Sequence, residues 1–177
     1  MKYDIIYADP PWDYKGQHQT GKDKKSSGSA DTHYPTMTVK DMIEQITVPA
    51  ADNSLLFMWT SSPHLDQAIK LGEGWGFKYA TVAFVWDKQK VNPGFYTMSQ
   101  CELCLVFKRG KIPANRGSRN TRQLISEMRR EHSRKPDEVR KRIEEMFPQH
   151  NKLEMFARTT PKGWDVFGNQ TEKFNEG

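Results

Sequence analysis

The pattern of this chain predicts an α/β protein built on a mostly parallel central sheet with helices on both faces. Three observations carry that prediction. Short apolar runs that stop at Pro, Gly or polar clusters alternate with segments of helical period. The runs are rich in β-branched and aromatic residues, which suit a pleated, buried surface. The length, 177 residues, accommodates a single domain over 1–177 with a full core and leaves little room for two.

The elements follow in order. Ile5-Ile6-Tyr7-Ala8 reads as a buried strand, and it ends at Asp9-Pro10-Pro11 because prolines cannot continue a ladder. Residues 15–33 are polar and without period, so they read as a long flexible loop. Thr38 caps a helix over 39–46. A second strand covers 55–59, and Gly72 closes a helix over 64–71. Third and fourth strands cover 78–86 and 102–108, the latter broken by Arg109-Gly110. Pro136 sits in the first turn of a helix running to Phe147, with Val139, Ile143, Met146 and Phe147 on one face. Strands at 152–156 and 164–167 complete the sheet, and Gly168-Asn169-Gln170 ends the last one.

Charge is regional. The chain carries +5 overall, yet residues 108–142 hold thirteen Lys or Arg against four acids, leaving the remainder negative. Such a concentration is either a solvated face or a phosphate-binding surface, and its strength favours the second. The 15–33 loop and a basic insertion over 109–134 are therefore the candidate nucleic-acid elements, through Lys22, Lys24, Lys25, Arg116, Arg119, Arg122, Arg129 and Arg130. Cys101 and Cys104 lack a second pair to complete a zinc site and read as small buried residues, so no metal is expected. The N-terminus is not a signal peptide, and no apolar run approaches about 18 residues. A soluble, cytoplasmic protein with no membrane partner is expected.

Asp9 falls at the carboxyl end of a strand, where open α/β sheets bind ligands. A carboxylate, a proline carbonyl and the Trp12 ring on a loop stiffened by two prolines offer two acceptors and a stacking face. The same four residues also make an ordinary turn, so position after a buried strand is what favours chemistry.

Tyr7-Ala8-Asp9-Pro10-Pro11-Trp12 resembles the catalytic signature of the MT-A70 family of adenine-N6 methyltransferases. Further blocks resemble the family in its own order: Tyr34-Pro35-Thr36-Met37, Leu56-Phe57-Met58-Trp59, Glu102-Leu103-Cys104-Leu105-Val106, Lys135-Pro136-Asp137-Glu138, Lys152 to Arg158, and Gly163 to Gln170. The resemblance implies a Rossmann-like class I methyltransferase fold, circularly permuted, with S-adenosyl-L-methionine as cofactor. By the same resemblance, Asp9, Pro10, Pro11 and Trp12 form the catalytic loop: Asp9 and the Pro10 carbonyl accept from the two N6 hydrogens, and Trp12 stacks on adenine. Tyr34 and Glu102 line the adenine pocket. Lys135 meets the cofactor's carboxylate, Arg158 lies by its ribose, and Asn169 and Gln170 bond ribose hydroxyls or adenine, with Asp9 also facing the cofactor. Asn169 equally suits a helix N-cap before Thr171.

The expected substrate is a flipped or single-stranded adenine, in DNA ahead of RNA, as in compact phage or bacterial enzymes acting as monomer or homodimer. A catalytically silent nucleic-acid-binding partner subunit is the alternative of another class, and the intact Asp-Pro-Pro-Trp loop argues against it. Two departures from the family bear on cofactor affinity. The chain starts at the catalytic strand, without the preceding segment that contributes to the cofactor site. The 159–163 connection is short, with Thr159 and Thr160 where some relatives carry a His-Asn pair.

Overall fold

Strand alternation divides the core into two layers. In β1 (Tyr3–Ala8), Ile6 and Ala8 face one side of the sheet and Ile5 and Tyr7 the other, and all four are buried. The same alternation continues in β2 (Ala50–Thr60), where Leu56 and Met58 join the first layer and Leu55, Phe57 and Trp59 the second. The computed structural model of the chain describes residues 1–12, 36–131 and 134–168. The loop expected at 15–33, Tyr34, and the pair Asn169-Gln170 lie outside the described residues.

The remaining elements are α1 (Val39–Gln45), α2 (Leu65–Gly74), β3 (Lys78–Pro93), β4 (Met98–Arg109), β5 (Leu124–Ser126), α3 (Asp137–Met146), β6 (Lys152–Met155) and β7 (Asp165–Phe167). They form a seven-stranded sheet in the order β5-β3-β4-β2-β1-β6-β7. Only β4 is antiparallel to its neighbours, so the other six strands run one way. α1 and α2 cover one face through Met42, Ala68 and Leu71, while α3 covers the other through Val139 and Ile143. Burying a Met, Leu, Val or Ile side chain contributes about 1.5–3 kcal/mol, which is why helical period places these helices. The expected α/β class, mostly parallel sheet and two-faced helix cover are all present.

Local chemistry sets the element ends. Thr38 accepts from the Asp41 amide and caps α1 as expected. Pro136 is the N-cap of α3 and not a residue of its first turn, since its extended backbone (ψ 133°) stops short of the helix. Gly72 does not close α2. The helix continues to Gly74, and Gly76, at φ +91°, takes the left-handed turn beyond it. Gly72 serves packing instead: a Cβ there would lie 2.3 Å from the Phe107 ring. β3 and β4 run well past their expected ends as a long hairpin, and β5, three residues long, was not expected at all.

The 109–134 segment is tied to the body of the protein at both ends. Its Lys111 amide donates to Asn53 and its Gly117 and Ser118 amides donate to the last turn of α3. It then adds β5 to the edge of β3. Cys101 and Cys104 are free thiols; Cys104 is fully buried, as expected for a small core residue, whereas Cys101 is only half-buried.

Candidate active site

The topology makes a crevice at the end of β1. The chain leaves β1 for β2 on one side, while β6 and β7 lie on the other, and all four strands are parallel. Ligands bind outside the carboxyl ends of such strands where the order reverses. A cleft of about 470 Å3 opens there, lined by Tyr7, Asp9, Arg134, Lys135, Pro136, Asp137, Arg140, Glu154, Phe156, Arg158 and Thr159.

Asp9 lies at its floor. The carboxylate is enclosed by protein, yet 28% of the side chain still faces the cleft. Burial raises its pKa above the ordinary carboxyl value, Lys135 and Arg158 pull it back, and Glu102 pushes it up. Lys135 is the hub of these charges. Its Nζ lies 3.8 Å from Asp9 Oδ2 and 3.2 Å from Glu102 Oε1, and 5.6 Å over the Trp59 ring. Lys88 reaches the other Glu102 oxygen at 4.0 Å. The structure therefore brings together Asp9, Glu102, Lys135 and Arg158, four expected site residues drawn from four separate segments.

The opposite wall is an ion pair absent from the sequence reading. Arg140 on α3 grips Glu154 on β6 through two hydrogen bonds of 3.1 and 2.9 Å. Burial raises the pKa of Glu154 despite that partner. A glutamate between Leu153 and Met155 in a buried strand was the available signal, legible only once a cation is known to face it. Phe156 carries the backbone into the cleft at φ +59°, a left-handed conformation that non-glycine residues seldom adopt. The Thr159 hydroxyl, buried at the cleft wall, has no hydrogen-bond partner among the described residues.

The loop after β1 departs from expectation in two respects. Trp12 is 5% exposed and belongs to the core, stacked on His64 with ring planes 11° apart. Its ring is therefore not an open platform for a base in this conformation, because the apolar layer around Met42 and Met58 buries it. The Pro10 carbonyl is not unencumbered either: it accepts from the Trp12 amide at 3.0 Å. A carbonyl has a second lone pair, so one acceptor site remains. The Pro11 carbonyl accepts from Met37 at 2.9 Å, pinning the far side of the loop.

The basic residues divide. Arg129 and Arg130 follow β5 at the carboxyl edge of the sheet, and Arg130 bonds Asp137 and the Lys135 carbonyl. Arg116 turns inward, 5.7 Å over Phe147 at the far end of α3, with its Nε buried. The Phe147 ring is thus a partner of Arg116 that its place in the basic segment did not suggest. Arg119 and Arg122 are exposed on the way to β5.

The MT-A70 family model matches residues 3–170, which span the cleft walls and the loop. The chain belongs to the MT-A70 family. It is 50% identical to the Type II methyltransferase M.MunI of a Mycoplasma species, over 94% of this chain and 77% of that protein. It is 32% identical to a putative N(6)-adenosine-methyltransferase MT-A70-like protein of Medicago truncatula, over 96% of this chain. Identity to the human N(6)-adenosine-methyltransferase catalytic subunit METTL3 is 25%, over 97% of this chain. The chain spans about a quarter of the length of these last two, 26% and 28%. MT-A70 membership and the mixed sheet agree with the Rossmann-like methyltransferase fold implied by the sequence blocks.

Proposed function

We propose that this MT-A70 protein transfers the methyl group of S-adenosylmethionine to the N6 amine of adenine in DNA. One observation carries the reading: Asp9 stands at the carboxyl end of β1 on the floor of the cleft, held by Lys135 and facing Arg158. DNA is favoured because the half-identical relative is a Type II methyltransferase, whereas relatives named for adenosine are 25–32% identical. The cytoplasm, where bacterial DNA lies, is the corresponding site of action. Among the described residues no helix is long and apolar enough to cross a membrane.

The lining fits the cofactor. Four cations and three carboxylates line the cleft, a near balance that suits a zwitterion bearing both signs. Lys135, Arg134 and Arg158 offer charge to a carboxylate, and the unpaired Thr159 hydroxyl offers a bond to a sugar hydroxyl. When bound, S-adenosylmethionine supplies an electrophilic methyl group on sulfur.

The residues of the chain do the remaining work. Adenine N6 is a poor nucleophile because its lone pair is delocalised into the ring. The Asp9 carboxylate accepts one N6 hydrogen and the free lone pair of the Pro10 carbonyl accepts the other, which draws the nitrogen toward a pyramidal shape. Pro11 and the buried Trp12 hold these acceptors in place, so little entropy is lost when the base engages. A base inside a duplex cannot reach this floor, so it enters flipped or from a single strand.

Asp9→Ala tests the reading. The variant is expected to bind labelled cofactor and keep its melting temperature, yet leave no methyladenine in DNA by nucleoside mass spectrometry. Turnover above a hundredth of the unmodified chain would remove Asp9 from this role, and product found in RNA alone would reassign the polymer.

A further inference from the structure

Beyond residue 87 the β3–β4 hairpin leaves the body of the protein. Its strands pair as far as Pro93 with Met98, and residues 94–97 make the turn. Tyr96 is fully exposed, Phe95 is 53% exposed and Met98 62%. No core explains this apolar tip. β3 leaves the sheet at the same edge as Asp9, and Cys101, at the hairpin's root, adjoins Glu102, which shares Lys135 with Asp9. From Cys101 the strand runs three steps out to Met98, about 10 Å at roughly 3.4 Å per residue, and the 94–97 turn carries Tyr96 beyond it.

The hairpin's turn and root are shaped by its own residues. Gly94 makes the turn so tightly that a Cβ would lie 2.3 Å from the Thr97 carbonyl. At the root, one Asp87 oxygen accepts from the Gln89 amide and the Gln100 side chain, both at 2.9 Å. Gln89 takes φ +54°, and the register shifts between Asp87 and Asn92, so a bulge aims the ribbon. No carboxylate occurs between Asp87 and Glu102, whereas Lys90 is exposed on the stem. The Arg129 amide donates to the Lys88 carbonyl, which docks the half-buried Arg129 and the exposed Arg130 beside the root.

We propose that this hairpin is a β-ribbon that enters a groove of duplex DNA beside the target adenine and presses Phe95 and Tyr96 against the base stack. The inference rests on the DNA reading above and deepens it. A major groove about 12 Å wide admits a two-stranded ribbon. Extruding an adenine into the Asp9 cleft leaves a gap in the stack, and apolar side chains of other proteins fill such gaps as wedges. A stem without acids and with Lys90 exposed suits phosphates. The tip is a few side chains wide, against about 800 Å2 per partner in a stable protein interface, which disfavours a second copy as its occupant.

The experiment uses a Phe95→Ser/Tyr96→Ser double variant of the full chain with unmethylated genomic DNA, native and heat-denatured. Both side chains are exposed, so the melting temperature is expected to hold. On native DNA kcat/KM is expected to fall at least about fivefold, the lower end of base–aromatic stacking. On denatured DNA, which needs no flipping, and in cofactor affinity, the change is expected to stay within about twofold. An unchanged rate on native DNA would overturn the proposal. So would an equal loss on both forms, and sedimentation velocity would then show whether the hairpin joins two copies. If the unmodified chain methylates neither form, the DNA reading fails first and separately.

Discussion

Lys135→Met removes one positive charge from beside Asp9 while keeping an apolar stem against the Trp59 ring. The ammonium stands 3.8 Å from the Asp9 carboxylate. At that distance a unit pair attracts by about 4 kcal/mol at an effective dielectric near 20 and about 1 kcal/mol in water. Asp9 keeps 28% and Lys135 14% of its side-chain exposure, and Glu102 shares the same ammonium. A loss of about 2 kcal/mol is therefore expected in the attraction that keeps Asp9 ionised. The sign follows from which form works. Ionised Asp9 accepts the N6 hydrogen, so activity falls as pH drops through its pKa, which burial already raises. Without Lys135 that pKa rises further and the acid limb of kcat moves to higher pH. Glu102→Gln moves it the other way, because Glu102 pushes the Asp9 pKa up and competes for Lys135. Single-turnover methyl transfer at saturating cofactor, from pH 5 to 8, reads both limbs. Limbs that stay put, or that move in the same direction in the two variants, would refute the assignment of Lys135 as the charge that keeps Asp9 ionised.

Three further outcomes are expected. Trp12→Ala should lower stability by about 3–5 kcal/mol in urea denaturation, the usual cost of emptying a buried aromatic site, and a change under about 1 kcal/mol would show that the ring does not anchor the loop. Gly72→Ala should cost about 1–3 kcal/mol by overpacking, since its Cβ would meet the Phe107 ring, and calorimetry checks it. Arg129→Ala should flatten the dependence of log K on log salt for DNA by about 1, whereas Arg116→Ala should leave that slope alone and lose about 1 kcal/mol of stability. Equal slopes for all three chains would remove Arg129 from the DNA interface.

Much of this protein is legible from local rules. β1 reads correctly because four apolar residues run into Asp9 and two prolines, α1 because period and cap agree, and α3 because its period sets Val139 and Ile143 on one face. The carboxylate at the end of β1 follows from the same reasoning, and so does the distribution of helices on two faces. The hairpin does not. Pro93-Gly94 punctuates the sequence like a loop, yet both strands pair up to Met98 because register across a two-stranded ribbon is a nonlocal property. β5 is invisible for the same reason: three residues become a strand only because the edge of β3 is there to bond them.

The sequence by itself determined the α/β class, the place of Asp9 at a strand end and the set of charged residues from which a site is built, since these depend on period, caps and proline chemistry along the chain. Tertiary structure alone decided how those charges are spent. It set Lys135 between Asp9 and Glu102, joined Arg140 to Glu154 in the cleft wall, and turned Trp12 into the core and Arg116 onto Phe147. The physical reason is range. A cap or a strand end is fixed by neighbours a few residues away, but an ion pair or a stacked ring is fixed by distance in space, and residues 9 and 135 become neighbours only after the sheet has closed around them.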